Sequence, residues 1–340
     1  MTPETAALLS SNTGRPSIAV VIPCYRVREH VLGVIERIGA EVQHVFVVDD
    51  ACPDQTAAYV ADHCRDPRVR IIRNERNLGV GGAVTRGYRA ALDAEAQIIV
   101  KIDGDGQMDP ALLPRIVAPI IAGKADYAKG NRFFSPEDLR GMPMVRLIGN
   151  AILSFVSKLA SGYWDVMDPT NGYTAIHAVA LRILPLQKVD PRYFFESDML
   201  FRLGTLRAVV RDVPMVAAYA GERSGLRVRK VALQFPLKYV SRFFKRIFYL
   251  YFLRDFNVGS IEMLGGSLML GFGILYGGYH WLYAISTGPA PTGVIMLAAL
   301  PVIIGFQLLL AAISYDVGNI PRIPLQELYR TAREVQGIAR

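Results

Sequence analysis

The stretch "IIVKIDGDGQMDP", residues 98–110, passes from an apolar run into two aspartates separated by one glycine. The apolar run predicts a buried strand that ends close to Asp103. Side chains two apart in an extended backbone point the same way, so Asp103 and Asp105 are expected to face one space, which Gln107 can join. Two adjacent carboxylates repel each other unless a cation lies between them. The stretch therefore predicts a Mg²⁺ or Mn²⁺ site that bridges to a diphosphate.

Two other interpretations of this stretch need to be weighed. A calcium loop is excluded, because Met108 stands where such a loop needs glycine and Pro114 stands where it needs a bidentate glutamate. A solvated turn whose aspartates cap a helix remains as the alternative.

The first 110 residues alternate between apolar runs and segments of helical spacing. This order predicts a mainly parallel sheet with helices on both faces. In such sheets ligands bind outside the carboxyl ends of the strands, where Asp49, Asp50, Asp103 and Asp105 fall. The predicted strands are 17–25, 42–50, 69–75 and 96–103, and the predicted helices are 28–39, 54–64 and 81–94.

The composition indicates a membrane protein, since 51% of the residues are hydrophobic and the mean hydropathy is +0.25. Residues 263–315 contain no Asp, Glu, Lys or Arg, and "TGPAPT", 287–292, divides them into two long apolar stretches. About 20 helical residues span a bilayer core. We expect a transmembrane hairpin; the alternative is a buried helix pair in a globular core.

The formal net charge of +8 raises the question of a nucleic-acid partner. The bases are concentrated between 227 and 254, where there is no acidic residue and from where the chain leads directly into the apolar stretches. This position excludes nucleic acid and predicts basic interfacial amphipathic helices that meet anionic lipid head groups on the cytoplasmic side. Lys238, Arg242, Lys245 and Arg246 are expected to share the lipid-facing side.

The predicted organisation has five parts. No secretory signal is visible before Ile18, and three cysteines without metal-ligand spacing favour a reducing compartment. We therefore expect a protein of the cytoplasmic membrane whose catalytic domain faces the cytosol. The parts are an N-terminal tail (1–16), the α/β catalytic domain (17–226), basic interfacial helices (227–258), the transmembrane hairpin (259–316) and a cytoplasmic C-terminal tail (317–340).

Six motifs in this order carry a resemblance to a known family: "VVIPCYR", "VVDDACPDQT", "NLGVGGAVTRGY", "DGDGQMDP", "KGNR" and "DPTNGY". Together with the hairpin they resemble the family-two inverting glycosyltransferases of the polyprenyl-phosphate (dolichyl-phosphate-like) glycosyl synthase group. The resemblance implies a GT-A fold, a nucleotide-sugar donor, a divalent cation (Mg²⁺ or Mn²⁺) and transfer of the sugar, with inversion, onto a polyprenyl phosphate at the bilayer surface.

The resemblance also implies roles for residues at the strand ends. Pro23 and Tyr25 match the nucleoside pocket, and Asp50, with Asp49 beside it, matches a carboxylate that contacts the nucleoside; strand-end capping is the alternative for both aspartates. Asp103, Asp105 and Gln107 match the motif that holds the metal and the donor diphosphate, and Asp105 is assigned to catalysis.

Arginines are implied to hold phosphate, which suits their planar fork of donors. Arg132 matches a position that meets both donor and acceptor phosphate, and Arg146 matches one that meets the acceptor. The chain departs from the family at "AAYAGERSGLRVRK", so the third arginine is Arg223, Arg227 or Arg229, of which we assign Arg229. Ordinary surface positions, or attraction to lipid head groups, are the alternatives.

Two further acids match catalytic positions. Asp168, in "DPTNGY", and Asp198, in "YFFESDML", are expected to position the nucleophile or to neutralise local arginines, and a structural ion pair is the alternative.

A polyprenyl phosphate needs no strong base, because a phosphate monoester is largely ionised at neutral pH. A UDP-sugar is the preferred donor, with GDP-mannose as the other choice. The competing hypotheses are transfer to a saccharide or protein hydroxyl, with Asp198 as base, and a non-catalytic membrane scaffold. Glycines of the hairpin (Gly265, Gly266, Gly271 and Gly273) leave room for a homo-oligomer.

Overall fold

The computed structural model describes residues 16–134, 144–215 and 228–338. The chain forms two compact units, the first made of residues 1–242 with 321–340 and the second of residues 243–320.

The first unit contains a seven-stranded sheet in the order β3-β2-β1-β4-β6-β5-β7. All neighbouring pairs are parallel except those of β6, which is antiparallel to both β4 and β5. The sequence therefore predicted the mainly parallel sheet correctly. The strands are β1 Ile18–Cys24, β2 His44–Asp49, β3 Val69–Arg73, β4 Ile98–Lys101, β5 Tyr127–Asn131, β6 Thr174–His177 and β7 Val210–Pro214.

Apolar side chains fill both faces of this sheet. Alternate residues of β1 point to opposite sides, so that Val21 joins one core cluster and Val20 and Ile22 join the other. Burial on both faces explains why these strands read as continuous apolar runs. The covering helices are α1 Val31–Glu36, α2 Thr56–His63, α3 Val80–Asp93, α4 Leu113–Ile121, α5 Met144–Ser161, α6 Ala178–Ile183 and α7 Phe195–Leu206.

The strand directions bring the predicted site residues to one edge of the sheet. The carboxyl ends of β1, β2, β4, β5 and β7 meet there with the amino end of β6, because β6 alone runs the other way. The loops that follow Cys24, Asp49, Lys101 and Asn131 therefore open on the same side.

The end of the chain differs from the predicted tail at 317–340. Helix α11, Leu325–Ile338, belongs to the first unit, and Leu325 lies in its core. The buried carboxylate of Asp126 accepts hydrogen bonds from the backbone N–H groups of Leu325 at 2.8 Å and Gln326 at 3.1 Å. The segment is folded because Asp126 caps the first turn of this helix.

The second unit contains the two apolar helices, α9 Val258–Thr287 and α10 Thr292–Gly318, and the break between them lies at the predicted "TGPAPT". Their best windows have mean hydropathy 1.5 and 2.5, and only 22% and 6% of those windows are buried. Both helices are long and apolar enough to cross a membrane, and their exposure argues against the alternative of a buried pair.

Glycines bring the two apolar helices into close contact. A Cβ on Gly266 would lie 2.9 Å from the carbonyl oxygen of Gly305, and one on Gly273 would lie 2.8 Å from that of Ala298. Gly266 and Gly273 therefore pack against the other helix of the hairpin. They are not available to contact a second copy of the chain in a homo-oligomer.

The basic face predicted for lipid contact is largely used within the protein. Helix α8, Val228–Ile247, pairs Lys238 with Asp190 and Arg242 with Asp198 in the first unit. In the second unit Arg246 Nη1 lies 2.7 Å from an oxygen of Asp316, and its side chain is 1% exposed.

The prediction that these bases face head groups is thus corrected for Lys238, Arg242 and Arg246. Each is paired with a carboxylate from a distant part of the sequence, namely Asp190, Asp198 and Asp316. Lys245 is exposed, and its contact with lipid head groups stays a prediction.

Candidate active site

The ends of β1 and β2 form the first part of the candidate site. Pro23 lies within β1, opposite Val48 of β2, and Tyr25 follows the strand with 44% of its surface exposed. Asp49 is buried, and its two oxygens accept hydrogen bonds from the backbone of Cys52 at 2.7 Å and Ala57 at 2.8 Å. Asp49 thus fixes the loop after β2 and the start of α2.

Asp50 organises a second loop at this edge. Its carboxylate accepts from Asn74 Nδ2 and Leu78 N, both at 2.8 Å, and from Gly79 N at 2.7 Å. Gly79 has φ of 84°, a conformation that favours glycine. The structure therefore gives both aspartates the capping role that the sequence left as an alternative, and the nucleoside contact of Asp50 stays a prediction.

The backbone is unusual in the two loops after β1 and β2. Arg26, Ala51 and Gln55 have φ of 60°, 53° and 54°, in the left-handed region that residues with a Cβ seldom adopt. Such conformations cost free energy and are typical of ligand-binding loops. The two loops are in contact, since Arg26 N donates to Cys52 Sγ at 3.0 Å.

The aspartates of the opening motif lie in a turn and not in an extended strand. Strand β4 ends at Lys101, and Gly104 and Asp105 form a turn, so the alternation argument for their facing one space was wrong. Asp103, Asp105 and Gln107 are all half-buried on one loop, and Asp105 Oδ1 accepts from Gln107 N at 3.0 Å.

The oxygen ligands offered by Asp103, Asp105 and Gln107 suit a hard divalent cation that also binds substrate. Two carboxylates and an amide supply oxygen, and Mg²⁺ typically uses one or two carboxylates together with substrate phosphates. Within the described ranges no group of three His, Cys, Asp or Glu side chains is arranged to hold a metal. A cation at Asp103 and Asp105 would therefore complete its shell with substrate and water.

A buried lysine that the sequence analysis missed lies beneath this loop. Lys101 Nζ lies 2.8 Å from Asp103 Oδ1 and 3.3 Å from Glu196 Oε1. Burial would lower the pKa of this ammonium, but the charges of Asp103 and Glu196 prevail and raise it. The signal was present in "IIVK", where a charged residue continues a buried strand.

Arg132 and Asp168 form a two-point ion pair after β5. Arg132 Nε donates to Asp168 Oδ2 at 2.8 Å and Nη2 donates to Oδ1 at 3.1 Å. Burial would raise the pKa of Asp168, but the hydrogen bonds and charge of Arg132 lower it overall. Asp168 is fully buried, whereas Arg132 keeps 30% of its side chain exposed. The pair therefore holds a guanidinium at the surface of the edge.

A second buried lysine lies behind this pair. Lys129 of β5 is fully buried and donates to the carbonyl oxygen of Asn171. Burial lowers its pKa to about 8, against the opposing charges of Asp168, Glu196 and Asp212. Sequence reasoning missed Lys129, although "YAKGN" has the same pattern as "IIVK".

Asp198 lies away from any open surface. Its side chain is fully buried, and its oxygens accept from Arg202 Nε at 2.9 Å, Arg242 Nε at 2.6 Å and Asp190 N at 2.9 Å. Of the roles expected for Asp168 and Asp198, the geometry of both favours neutralisation of arginines over contact with the nucleophile.

The structure does not describe the side chains of the remaining predicted arginines. Arg146 is in helix α5 and Arg229 is in helix α8, but neither side chain is described, and Arg223 and Arg227 lie outside the described residues. Their contact with acceptor phosphate stays a prediction.

Comparison with known proteins gives independent evidence about the family of this chain. The family model described as "Glycosyl transferase family 2" matches residues 19–184. The chain is 28% identical, over 65% of its length and 93% of the relative, to a UDP-N-acetylglucosamine–dolichyl-phosphate N-acetylglucosaminyltransferase of Methanococcus voltae. It is 31% identical, over 58% of its length and 75% of the relative, to the polyprenol monophosphomannose synthase of Mycolicibacterium smegmatis.

A solved structure shares the fold. The glucosyl-3-phosphoglycerate synthase of Mycobacterium tuberculosis, crystallised with Mn²⁺, UDP and phosphoglyceric acid, matches with a TM-score of 0.52 at 20% identity. The match covers 71% of this chain and 81% of that one. At this identity the likeness concerns the fold alone, which is of the GT-A type.

Proposed function

The chain belongs to glycosyl transferase family 2, and from this membership we propose that it transfers a sugar from a nucleotide-sugar donor to a polyprenyl phosphate, with inversion, at the surface of a membrane. The observation that carries the proposal is that a single chain contains both a GT-A sheet edge, which holds Asp103, Asp105 and Arg132, and two helices long and apolar enough to cross a membrane. The relatives named above transfer sugars to dolichyl or polyprenyl phosphates by their names.

The donor is proposed to bind at the carboxyl ends of β1, β2 and β4. Pro23 and the exposed ring of Tyr25 would contact the nucleoside, beside the loops that Asp49 and Asp50 hold in place. The preferred donor is a UDP-sugar, as in the name of the Methanococcus relative. GDP-mannose is the second choice, because the Mycolicibacterium relative is named for a mannose product.

Asp103, Asp105 and Gln107 would hold the divalent cation, Mg²⁺ or Mn²⁺. When bound, this ion would neutralise the charge that develops on the diphosphate leaving group. All three residues are half-buried, so each keeps part of its surface within reach of solvent.

Arg132 is proposed to bind phosphate oxygens, and Asp168 to orient it. Because Nε and Nη2 are directed at Asp168, the guanidinium plane is fixed before any substrate arrives. A guanidinium of fixed orientation stabilises phosphate charge without a cost of reorganisation. Arg146 and Arg229 are proposed to bind the acceptor phosphate with it.

The acceptor oxygen would attack the anomeric carbon from the side opposite to the leaving diphosphate. A phosphate monoester is largely a dianion at neutral pH, since its second pKa is near ~6, so no strong base is required. The complete burial of Asp198 supports this over transfer to a hydroxyl, because a base must reach the proton that it removes.

The surface of the first unit supports action on a lipid. Helix α5 exposes Met144, Ile148, Ile152 and Phe155, whose spacing of four, four and three residues puts them on one side of the helix. An exposed apolar stripe on a helix without an acidic residue is suited to the interface of a bilayer. The acceptor's head group would be met there.

The chain order supports a single orientation. The segments before and after the two spans, 228–242 and 321–338, both belong to the first unit. Two spans return a chain to the side that it left, and Lys245, Arg254 and Arg322 are exposed near the ends of the spans. By the preference of bases for the cytoplasmic side, we propose that the catalytic unit faces the cytosol.

A donor panel tests the proposal. The full-length protein in detergent is mixed with polyprenyl phosphate, Mn²⁺ or Mg²⁺, and radiolabelled UDP- and GDP-sugars in turn, and label is counted in the organic phase. We expect extractable label with one sugar class, lost on chelation and in Asp105→Ala. No turnover with any donor would favour a non-catalytic scaffold.

A further inference from the structure

Lys101 brings a buried positive charge against the proposed cation loop. Its side chain is 1% exposed, and its ammonium lies 2.8 Å from Asp103 and 3.3 Å from Glu196. An ammonium enclosed in this way does not turn out into solvent. The positive charge therefore stays beside a carboxylate that the proposed function assigns to a divalent cation.

The packing above the ammonium keeps it in place. A Cβ on Gly172 would collide with Lys101 Nζ and would lie 2.7 Å from Asp103 Oδ2. Only glycine leaves room there for the Lys101–Asp103 pair. Gly172, two residues before β6, therefore closes one side of the space around this pair.

The charge has opposite effects on the two ligands of the site. A bare divalent cation at Asp103 is repelled by the nearby ammonium, whereas the oxygens of a diphosphate are attracted to it. Glu196 lies on the other side of Lys101 and offsets part of its charge. Removing Lys101 and removing the charge of Glu196 should therefore change cation affinity in opposite directions.

We propose that Lys101 is a positioning residue that orients Asp103 and weakens the binding of a bare divalent cation, so that the cation binds tightly only together with the nucleoside diphosphate. The inference rests on the proposed function, which supplies the cation and the diphosphate. The coupling between two bound ligands is reciprocal. The diphosphate therefore raises the affinity for the cation by the same factor as the cation raises the affinity for the diphosphate. Lys101 is a determinant of that factor.

The test is the affinity of the full-length protein for Mn²⁺, measured from the spectrum of free Mn²⁺ by electron paramagnetic resonance. Titrations are run without nucleotide and with UDP or GDP. The variants are Lys101→Met, Glu196→Gln and, as a control for loss of a lysine, Lys124→Met, whose side chain is exposed.

We expect Lys101→Met to tighten nucleotide-free Mn²⁺ binding by about tenfold or more, since a unit charge a few ångströms from a divalent cation has at least this effect even at the dielectric of water, and to reduce the strengthening by nucleotide. Glu196→Gln should weaken nucleotide-free binding, and Lys124→Met should leave it unchanged. Misfolding weakens binding in every variant, so the opposite shifts separate a charge effect from structural damage. If Lys101→Met does not fold, the direction of the Glu196→Gln shift decides.

The inference is overturned if Lys101→Met binds Mn²⁺ as the wild type does, or if both site variants shift affinity in the same direction. A wild-type protein that binds Mn²⁺ neither alone nor with nucleotide would instead remove the cation from the proposed function, and this inference with it. Normal wild-type binding with no effect of Lys101 or Glu196 would overturn the inference alone.

Discussion

The guanidinium of Arg132 and the carboxylate of Asp168 form a bidentate ion pair. Nε donates to Oδ2 at 2.8 Å and Nη2 donates to Oδ1 at 3.1 Å. The acid is fully buried and the base is 30% exposed. A buried anion thus holds an accessible cation in one orientation, as a phosphate-binding arginine requires. Asp168 acts through Arg132 and is a positioning residue in this account.

Asp168→Asn should lower kcat/KM by about a hundredfold, because Arg132 loses the charge that fixes its guanidinium and a small misplacement of a substrate-positioning group has an effect of that order. Arg132→Lys should not restore function, because lysine lacks the planar fork. Steady-state kinetics of sugar transfer measure both. The matched control is Asp165→Asn, which removes the partner of Arg211 in an exposed pair 3.7 Å apart and should change the rate by less than about twofold. Full activity of Asp168→Asn would contradict the assignment.

Asp126→Ala should destabilise the first unit by about 3 kcal/mol or more, because buried N–H groups of Val209, Leu325 and Gln326 lose their acceptor. Denaturant unfolding in detergent measures the change, and proteolysis should then cleave the chain near helix α11. Glu327→Ala, an exposed change in the same helix, is the control. Equal stability of the two variants would show that Asp126 does not secure this helix.

The stability of the protein should rise with pH because of Lys129. Burial lowers its pKa from 10.5 to about 8, so between these values the unfolded chain binds more protons than the folded one, and the free energy of unfolding increases with pH. In Lys129→Met this part of the rise should disappear. Thermal unfolding from pH 7.5 to 10.5 measures it, with the exposed Lys124→Met as control; identical pH profiles for the wild type and Lys129→Met would refute the assignment.

Arg246 and Asp316 should be strongly coupled in the second unit. Two hydrogen bonds of 2.7 Å and 3.0 Å join them, and Tyr251 donates to the same carboxylate at 2.6 Å. Arg246→Met alone leaves a buried carboxylate without its counter-charge, at a cost of about 3 kcal/mol or more. The double variant Arg246→Met with Asp316→Asn should be more stable than Arg246→Met in unfolding measurements. Additive losses would show that the pair is not coupled.

The sequence predicted the sheet and the hairpin because both follow from local patterns. Apolar runs and helical spacing alternate regularly up to residue 110, and the break at 287–292 falls where the first apolar helix ends. The role of the last residues could not be predicted. Helix α11 is held by Asp126, which lies 199 residues before Leu325, and no local pattern reports so distant a contact.

The site was predicted in part. Asp103, Asp105 and Arg132 lie at one edge of the sheet, because β4 and β5 both run antiparallel to β6 and so point the same way. The partners of the charged residues depend on tertiary packing, so Glu196 near Lys101 and the carboxylates paired with Lys238 and Arg242 were not foreseen. Basic residues with helical spacing predicted a lipid-facing side because the acidic partners lie far away in the sequence.

The most direct test of the central claim compares two acceptors that differ only in the phosphate. The wild-type protein, with Mn²⁺ and the radiolabelled donor that it accepts, is offered polyprenyl phosphate or the corresponding polyprenol, and the labelled lipid is identified by its mass. The account predicts a glycosyl polyprenyl phosphate with the first acceptor and no product with the second. A glycosylated polyprenol, or label transferred only to a soluble hydroxyl compound or to water, would contradict it.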